Sequence, residues 1–116
     1  MGKRILIASN RKLAHFKDVI ELEISDCEVT HSITPQDAFS AAEAGETDII
    51  VLELCANTSS LSRLREINPN QKVIVITNAI LAQHCKKHEP LRIFVMPLGL
   101  EELIQCVKDN TRGGEN

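Results

Sequence analysis

The sequence is poor in aromatic residues, with three Phe and no Tyr or Trp. So few rings leave little surface on which a nucleobase could stack. The chain also lacks an excess of basic residues, since its formal net charge is −3. A basic patch is the usual electrostatic signature of a nucleic-acid-binding domain. We therefore expect no nucleic-acid binding by this domain.

The chain also lacks membrane and targeting signals. No apolar run approaches the roughly 18 residues that a membrane-spanning helix needs. The first residues lead directly into a short β-branched run and do not follow the pattern of a signal peptide. Gly2 follows the initiator Met1, but Leu6 stands where a myristoylation motif requires Ser or Thr. These features predict a cytoplasmic protein without a membrane partner.

Cysteine is present, but not in a pattern that binds metal or forms a disulfide framework. The four residues are Cys27, Cys55, Cys85 and Cys106. They contain no CxxC pair and no zinc-ribbon spacing. The spacing predicts four free thiols in a reducing compartment.

Short apolar runs alternate with stretches of helical periodicity along the chain. The runs predict strands at Arg4–Ala8, Cys27–His31, Ile49–Leu52, Val73–Thr77 and Ile93–Met96. A helix is predicted after each strand, with Thr34 as the cap of the second and Gly45 as its stop. Five such pairs predict one α/β domain, a doubly wound parallel sheet of five strands with helices on both faces. The last helix is predicted to end near Asp109, so residues 1–109 form the domain and residues 110–116 a polar tail or linker.

Ligands of doubly wound sheets bind beyond the carboxyl ends of the strands. The residues that occupy these positions are Ser9, Asn10, Glu53, Thr77 and Met96. They are the candidate site of the chain.

Four segments in the order and spacing of these strand ends carry a family resemblance. They are Arg4–Ile7, Gly45–Leu54, Val73–Ala79 and Met96–Leu103. Over about residues 3 to 109 the sequence resembles the receiver domains of response regulators in two-component systems. The resemblance implies a flavodoxin-like sheet with strand order 2-1-3-4-5 and a role in signal transduction.

The resemblance fails at the residues that carry the family's phosphotransfer chemistry. The acidic pair that holds Mg²⁺ falls on Ser9 and Asn10, and neither supplies the carboxylate that Mg²⁺ prefers. The nucleophilic Asp is replaced by Glu53 and the Lys by Met96, which we expect to fill the vacated space. Only Thr77 keeps the family's residue type. The pattern predicts a degenerate receiver that is not an enzyme and holds no metal or cofactor.

Two main interpretations of Glu53 remain open, together with residual ion binding. Its carboxylate extends further than that of Asp, so it could mimic the phosphorylated state. Alternatively it is a polar residue at a strand end, hydrogen-bonded to Ser9, Asn10 or Thr77 or paired with Arg11.

The resemblance also implies a contact face. The family's aromatic switch position falls on Ile93, while Phe94 should point to the opposite face of the strand. The fourth helix, fifth strand and fifth helix often form the partner-binding face of receivers. Here that face comprises parts of Ala79–His88, the strand residues Ile93, Phe94 and Val95, and parts of Leu100–Lys108. We expect the partner to be another signalling protein or a second copy of the chain.

Two hypotheses from other functional classes also remain. A redox- or metal-responsive sensor would use Cys55 or the helical cluster of His84, Cys85 and His88, although that cluster is incomplete as a structural zinc site. We expect the cluster instead to form a solvated polar helix face, with Lys86 and Lys87 beside it. An enzyme would use Ser9 as a nucleophile, but no His or acid is tied to it by a recognisable spacing.

Overall fold

The computed structural model describes residues 2–9, 16–96 and 99–111. Strands and helices alternate through these residues. In chain order they are β1 Lys3–Ala8, α1 Phe16–Glu23, β2 Cys27–Ser32, α2 Gln36–Ala44, β3 Ile49–Glu53, α3 Ser59–Ile67, β4 Lys72–Thr77, α4 Ala79–Cys85, β5 Arg92–Val95 and α5 Leu100–Thr111. A 3₁₀ turn at Lys86–His88 continues α4.

The five strands form one parallel sheet in the order β2-β1-β3-β4-β5. This confirms the predicted fold class and strand order. Ala8 at the end of β1 pairs with Ser32 of β2 on one side and Leu52 of β3 on the other. The carboxyl ends of these three strands therefore lie at one level, along the edge where the candidate site was predicted.

Each face of the sheet is covered by a separate apolar cluster. Ile7 and Val51 of the sheet pack on one face with Ile20 of α1 and Leu103 of α5. On the other face, Leu6, Ala8, Ile50, Leu52, Val73 and Val75 pack with residues of α2, α3 and α4. Burying one such aliphatic side chain contributes about 1.5–3 kcal/mol. The two clusters explain why the central strands β1, β3 and β4 are apolar on both sides.

The start of α2 differs by one residue from the prediction. Pro35, and not Thr34, occupies the N-cap position, and no side-chain oxygen caps the helix there. The Ser32 hydroxyl instead donates to Asp37 Oδ2 at 2.7 Å and accepts from the Thr34 N–H at 3.3 Å. The predicted stop at Gly45 is confirmed. Its φ of 71° lies in the left-handed region, and its N–H donates to the Ala41 carbonyl.

The end of α5 also differs, because the helix continues through Thr111. Thr111 is 6% exposed, and its hydroxyl donates to the Lys108 carbonyl at 3.1 Å. The Asn110 amide donates to the Cys106 carbonyl at 2.8 Å. These bonds stabilise the last turn, so the helix ends two residues after the predicted Asp109. The rest of the predicted tail, residues 112–116, lies outside the described residues.

One side chain connects α3 to the loops that precede β4 and β5. The guanidinium of Arg65 donates to the carbonyl oxygens of Pro69, Gln71, His88 and Glu89. These bonds use four of the five N–H donors of the group. Burial lowers the pKa of Arg65 from its usual value. Arg65 is therefore an internal brace of the fold.

No helix within the described ranges is long and apolar enough to cross a bilayer.

We expect Arg65→Gln to lower the free energy of unfolding by about 2–4 kcal/mol, because hydrogen bonds from a charged donor contribute about 1.5–3 kcal/mol each and do not simply add. Urea denaturation measures this loss. Arg63→Gln is the matched control, since Arg63 is exposed on the same helix. Its guanidinium lies over the Phe39 ring, 5.3 Å from the ring centroid. Its loss should stay below about 1 kcal/mol. Equal losses of unfolding free energy in the two variants would contradict the role of Arg65 as an internal brace.

Candidate functional site

A cleft of about 270 Å³ lies at the carboxyl edge of the sheet. We call it the strand-end cleft. Ser9 follows β1 and Glu53 ends β3, while Pro35 and Ser60 come from the starts of α2 and α3. Cys55 lines the same cleft and is exposed. The structure therefore brings Ser9 and Glu53 into one site, as the order of strand ends predicted.

Ser9 is 5% exposed and contacts β2 through both its backbone and its side chain. Its N–H donates to the Ser32 carbonyl at 2.9 Å, and its Oγ lies 3.3 Å from Nε2 of His31. Sequence reasoning missed His31, because the two residues are 22 positions apart and no motif links them. The predicted strand order could have identified His31, because in the order 2-1-3 the end of β2 lies beside the end of β1.

Glu53 is half-buried at the end of β3, one residue beyond the Leu52 that pairs with Ala8. Glu53 is therefore level with Ser9, which follows Ala8 on the neighbouring strand. Two of its predicted partners, Asn10 and Arg11, lie outside the described residues. Their bonds to Glu53 stay a prediction, as does the placement of Asn10 in the site.

Thr77 is 1% exposed, and its hydroxyl donates to the Leu54 carbonyl at 2.8 Å. The Leu54 N–H in turn donates to the Ile76 carbonyl at 2.9 Å. A hydroxyl has one proton to donate. The Thr77 proton is therefore committed to the β3–α3 connection and is not available to Glu53, so that predicted hydrogen bond is wrong.

Met96 lies outside β5, which ends at Val95. Its N–H still donates to the Thr77 carbonyl at 2.8 Å, which holds its backbone at the edge of the sheet. The side chain, however, is 38% exposed and belongs to neither apolar cluster. The prediction that Met96 fills a vacated space by packing is wrong, because the residue follows the last pair of an edge strand.

The cleft offers hydrogen-bonding groups and a thiol but little charge. Among the described residues that line it, Glu53 is the one acid, and none is Lys or Arg. A phosphoryl group in transfer carries charge on three oxygens and depends on cations to stabilise it. The described lining supplies neither a cation nor a pair of carboxylates for a metal ion.

The three strand residues of the predicted partner face are not equivalent. Ile93 packs against the cluster on the α2–α4 side of the sheet, while Phe94 is 6% exposed and belongs to the opposite cluster. Their opposite orientation is confirmed. The Arg92 guanidinium covers the Phe94 ring at 4.9 Å, so Phe94 as a contact residue is wrong. Val95, 42% exposed, is accessible, and so is Ile80 of α4, 75% exposed.

The helical His and Cys residues do not form a metal site. Cys85 is fully buried in the α2–α4 cluster, and burial raises the pKa of its thiol. His84 is exposed, and Nε2 of His88 lies 3.0 Å from the Ser62 hydroxyl. No group of three potential ligands occurs among the described residues. The metal hypothesis for this cluster is wrong because the thiol faces the core.

All four thiols are free, as predicted. Burial also raises the pKa values of Cys27 and Cys106, which favours their unreactive thiol forms. Cys55 is the exposed thiol of the four.

Comparison with protein-family models gives no match, and comparison with curated proteins gives none. Solved structures do match. A LuxR family DNA-binding response regulator from Silicibacter pomeroyi is 24% identical, with a TM-score of 0.80 over 96% of this chain and 93% of that one. A CheY-like response regulator receiver domain protein from Methanospirillum hungatei is 18% identical, with a TM-score of 0.81 over the whole of both chains.

A third similar structure is described as a member of a family of redox sensors in the streptococci that evolved from two-component response regulators. It is 21% identical, with a TM-score of 0.77 over 98% of this chain and 53% of that one. At these identities the likeness shows the fold and not the activity. The chain therefore has the fold of response-regulator receiver domains.

Proposed function

We propose that the chain is a non-catalytic signalling module, a degenerate receiver that acts by protein–protein interaction without being phosphorylated. The observation that carries this proposal is the charge of the strand-end cleft, whose described lining holds one acid, Glu53, and no cation. Ser9 occupies one position of the usual acidic pair, and it is buried against β2. The proposed location is the cytoplasm, because four free thiols suit a reducing compartment.

The hydrogen bonds around Thr77 support a constant conformation. Thr77, Leu54 and Ile76 form a closed set of bonds between β4 and the end of β3. Moving the Thr77 hydroxyl toward the cleft would leave the buried Leu54 carbonyl without this donor, at a cost of about 1–3 kcal/mol. A ligand changes a conformational equilibrium only by its difference in affinity for the two states. If no phosphoryl group is attached, no such difference in affinity is available to change the conformation of the domain.

We expect acetyl phosphate and Mg²⁺ to leave the protein unmodified, because the described cleft residues do not provide the charges that phosphoryl transfer requires. Intact-mass spectrometry detects the adduct, and a receiver with the complete set of acidic residues and Lys serves as the positive control. The Glu53→Gln variant locates any reaction. A phosphoryl adduct that forms on the natural chain and disappears in Glu53→Gln would overturn the proposal.

The accessible apolar residues near the end of β5 define the proposed partner surface. Thr77 at the end of β4 pairs with Val95, and α4 begins two residues later, so Ile80 lies at the same edge of the sheet. Together with Met96 they expose apolar surface that a partner protein would remove from water. The proposed partner is another signalling protein or a second copy of the chain.

We expect Ile80→Ser and Val95→Ser each to weaken partner binding about fivefold or more, because hot-spot residues contribute more than about 1 kcal/mol. Glu53→Gln should change the affinity less than twofold, about 0.4 kcal/mol. Affinity capture and solution mass measurement identify the partner, and calorimetry gives the affinities. Leu22→Ser is the matched control, because Leu22 is an 85% exposed apolar residue on α1. Loss of partner binding in Glu53→Gln, with the other variants unchanged, would show that the partner binds through the strand-end cleft.

A redox sensor is the second candidate function, favoured by the exposure of Cys55 within the strand-end cleft. One structure with the same fold is described as a redox sensor. In this chain an oxidised Cys55 would have to form a sulfenic acid or a disulfide with another molecule, since the remaining thiols are buried or half-buried.

The two candidates differ in their response to oxidant. Under the first proposal, hydrogen peroxide leaves partner affinity unchanged, and Cys55→Ser binds like the natural chain. Calorimetry before and after oxidation, with mass spectrometry to locate the modification, measures both quantities. An oxidant-dependent change in affinity that Cys55→Ser abolishes would replace the first function with the second.

A further inference from the structure

A second cleft, of about 200 Å³, lies beside the amino ends of β4 and β5, away from the strand-end cleft. We call it the basic cleft. It is lined by Arg65 of α3, Pro69 of the following loop, and Lys87, His88 and Glu89 of the segment after α4. The lining thus contains two permanent cations, Arg65 and Lys87, one histidine and one acid, Glu89. The proposed signalling function makes no use of this cleft.

The positive charge of Arg65 is fixed in place and is not neutralised by an ion pair. Its bonds to four backbone carbonyls hold the guanidinium in one orientation. The ion pairs found among the described residues involve only Arg4 and Lys17 as cations. Arg65 and Lys87 therefore bring charge to the cleft without a carboxylate in direct contact.

His88 is the titratable group of the cleft that both cations affect. Its Nε2 lies 3.0 Å from the Ser62 hydroxyl. Burial lowers the pKa of His88, and the positive charges of Lys87 and Arg65 lower it further. The acid of the cleft, Glu89, acts in the opposite direction by raising the pKa of Arg65. Two cations against one carboxylate in the lining leave the cleft with a net positive charge, which favours an anion.

We propose that the basic cleft binds a phosphate group, with Lys87 and His88 as its direct contacts and Arg65 as a fixed source of positive charge. A water molecule takes about 30 Å³ of liquid volume, so the cleft has room for a tetrahedral oxyanion. Dianions suit the site because they complement several cations at once. The bound anion stabilises the protonated form of His88, so an anion of fixed charge binds more tightly as pH falls through the pKa of that residue.

Nuclear magnetic resonance on the full chain tests the site with inorganic phosphate as the probe, at constant ionic strength maintained with sodium chloride. We expect saturable shifts at the Arg65 Nε–H, the amides of Lys87 and His88, and the His88 ring. Lys87→Gln should weaken binding about threefold to fivefold, the size expected for one exposed charge. The matched control is Lys86→Gln, because Lys86 is an equally exposed neighbour that does not line the cleft.

Sulfate provides the second readout, since its charge does not change over the range in which histidine titrates. The pKa of His88 should be higher in sulfate than in chloride, and this difference should shrink in Lys87→Gln. Equal effects of Lys86→Gln and Lys87→Gln, shifts spread over the whole surface, or an unchanged His88 pKa would each overturn the proposal.

A phosphate group can belong to a free ion or to a phosphorylated side chain. Titration with O-phosphoserine separates these sources, because a tighter affinity than that of inorganic phosphate assigns the site to a phosphorylated side chain. Equal or weaker affinity assigns it to the free ion. If neither probe binds, the proposal is wrong, while the proposed signalling function is unaffected because it depends on the opposite end of the sheet.

Discussion

The parallel pairing of β1 with both β2 and β3 is the constraint on which the arrangement of the site depends. Parallel strands place all their carboxyl ends at one edge of the sheet. Here the pairs of Ala8 with Ser32 and with Leu52 fix that edge. Ser9 consequently lies between the strand that carries His31 and the strand that ends at Glu53. The central strands β1, β3 and β4 carry apolar residues on both faces, whereas β2 contributes to one of the two clusters.

Charge separates the two ends of the sheet. At the carboxyl end, the described lining of the strand-end cleft holds Glu53 as its one charged residue. At the amino ends of β4 and β5, Arg65, Lys87 and His88 line a second cleft together with the acid Glu89. Arg65 and Lys87 thus line a cleft at the edge opposite to the one where ligands of this fold usually bind.

The packing of β5 separates residues that are adjacent in sequence. Ile93 and Phe94 enter opposite clusters because successive strand residues point to opposite faces. Phe94 is covered by Arg92 and is part of the core, whereas Val95 emerges at the end of the strand. The surface that remains for a partner is thus set by where the strand ends. At the same edge, the hydrogen bond from the Thr77 hydroxyl to the Leu54 carbonyl connects the end of β4 to the loop after β3.

The sequence by itself determined the number, order and type of the elements, because apolar runs and helical stripes have different periods. It also placed Ser9 and Glu53 at one edge, since strand ends of a parallel sheet coincide. Tertiary structure alone decided the contact of Ser9 with His31, the bond of Thr77 to Leu54 and the four carbonyls bound by Arg65. Apart from the bonds of Arg65 to Pro69 and Gln71, these interactions join residues 22 to 24 positions apart. Local pattern contains the period of each element, but the pairing of side chains depends on which elements become neighbours in space.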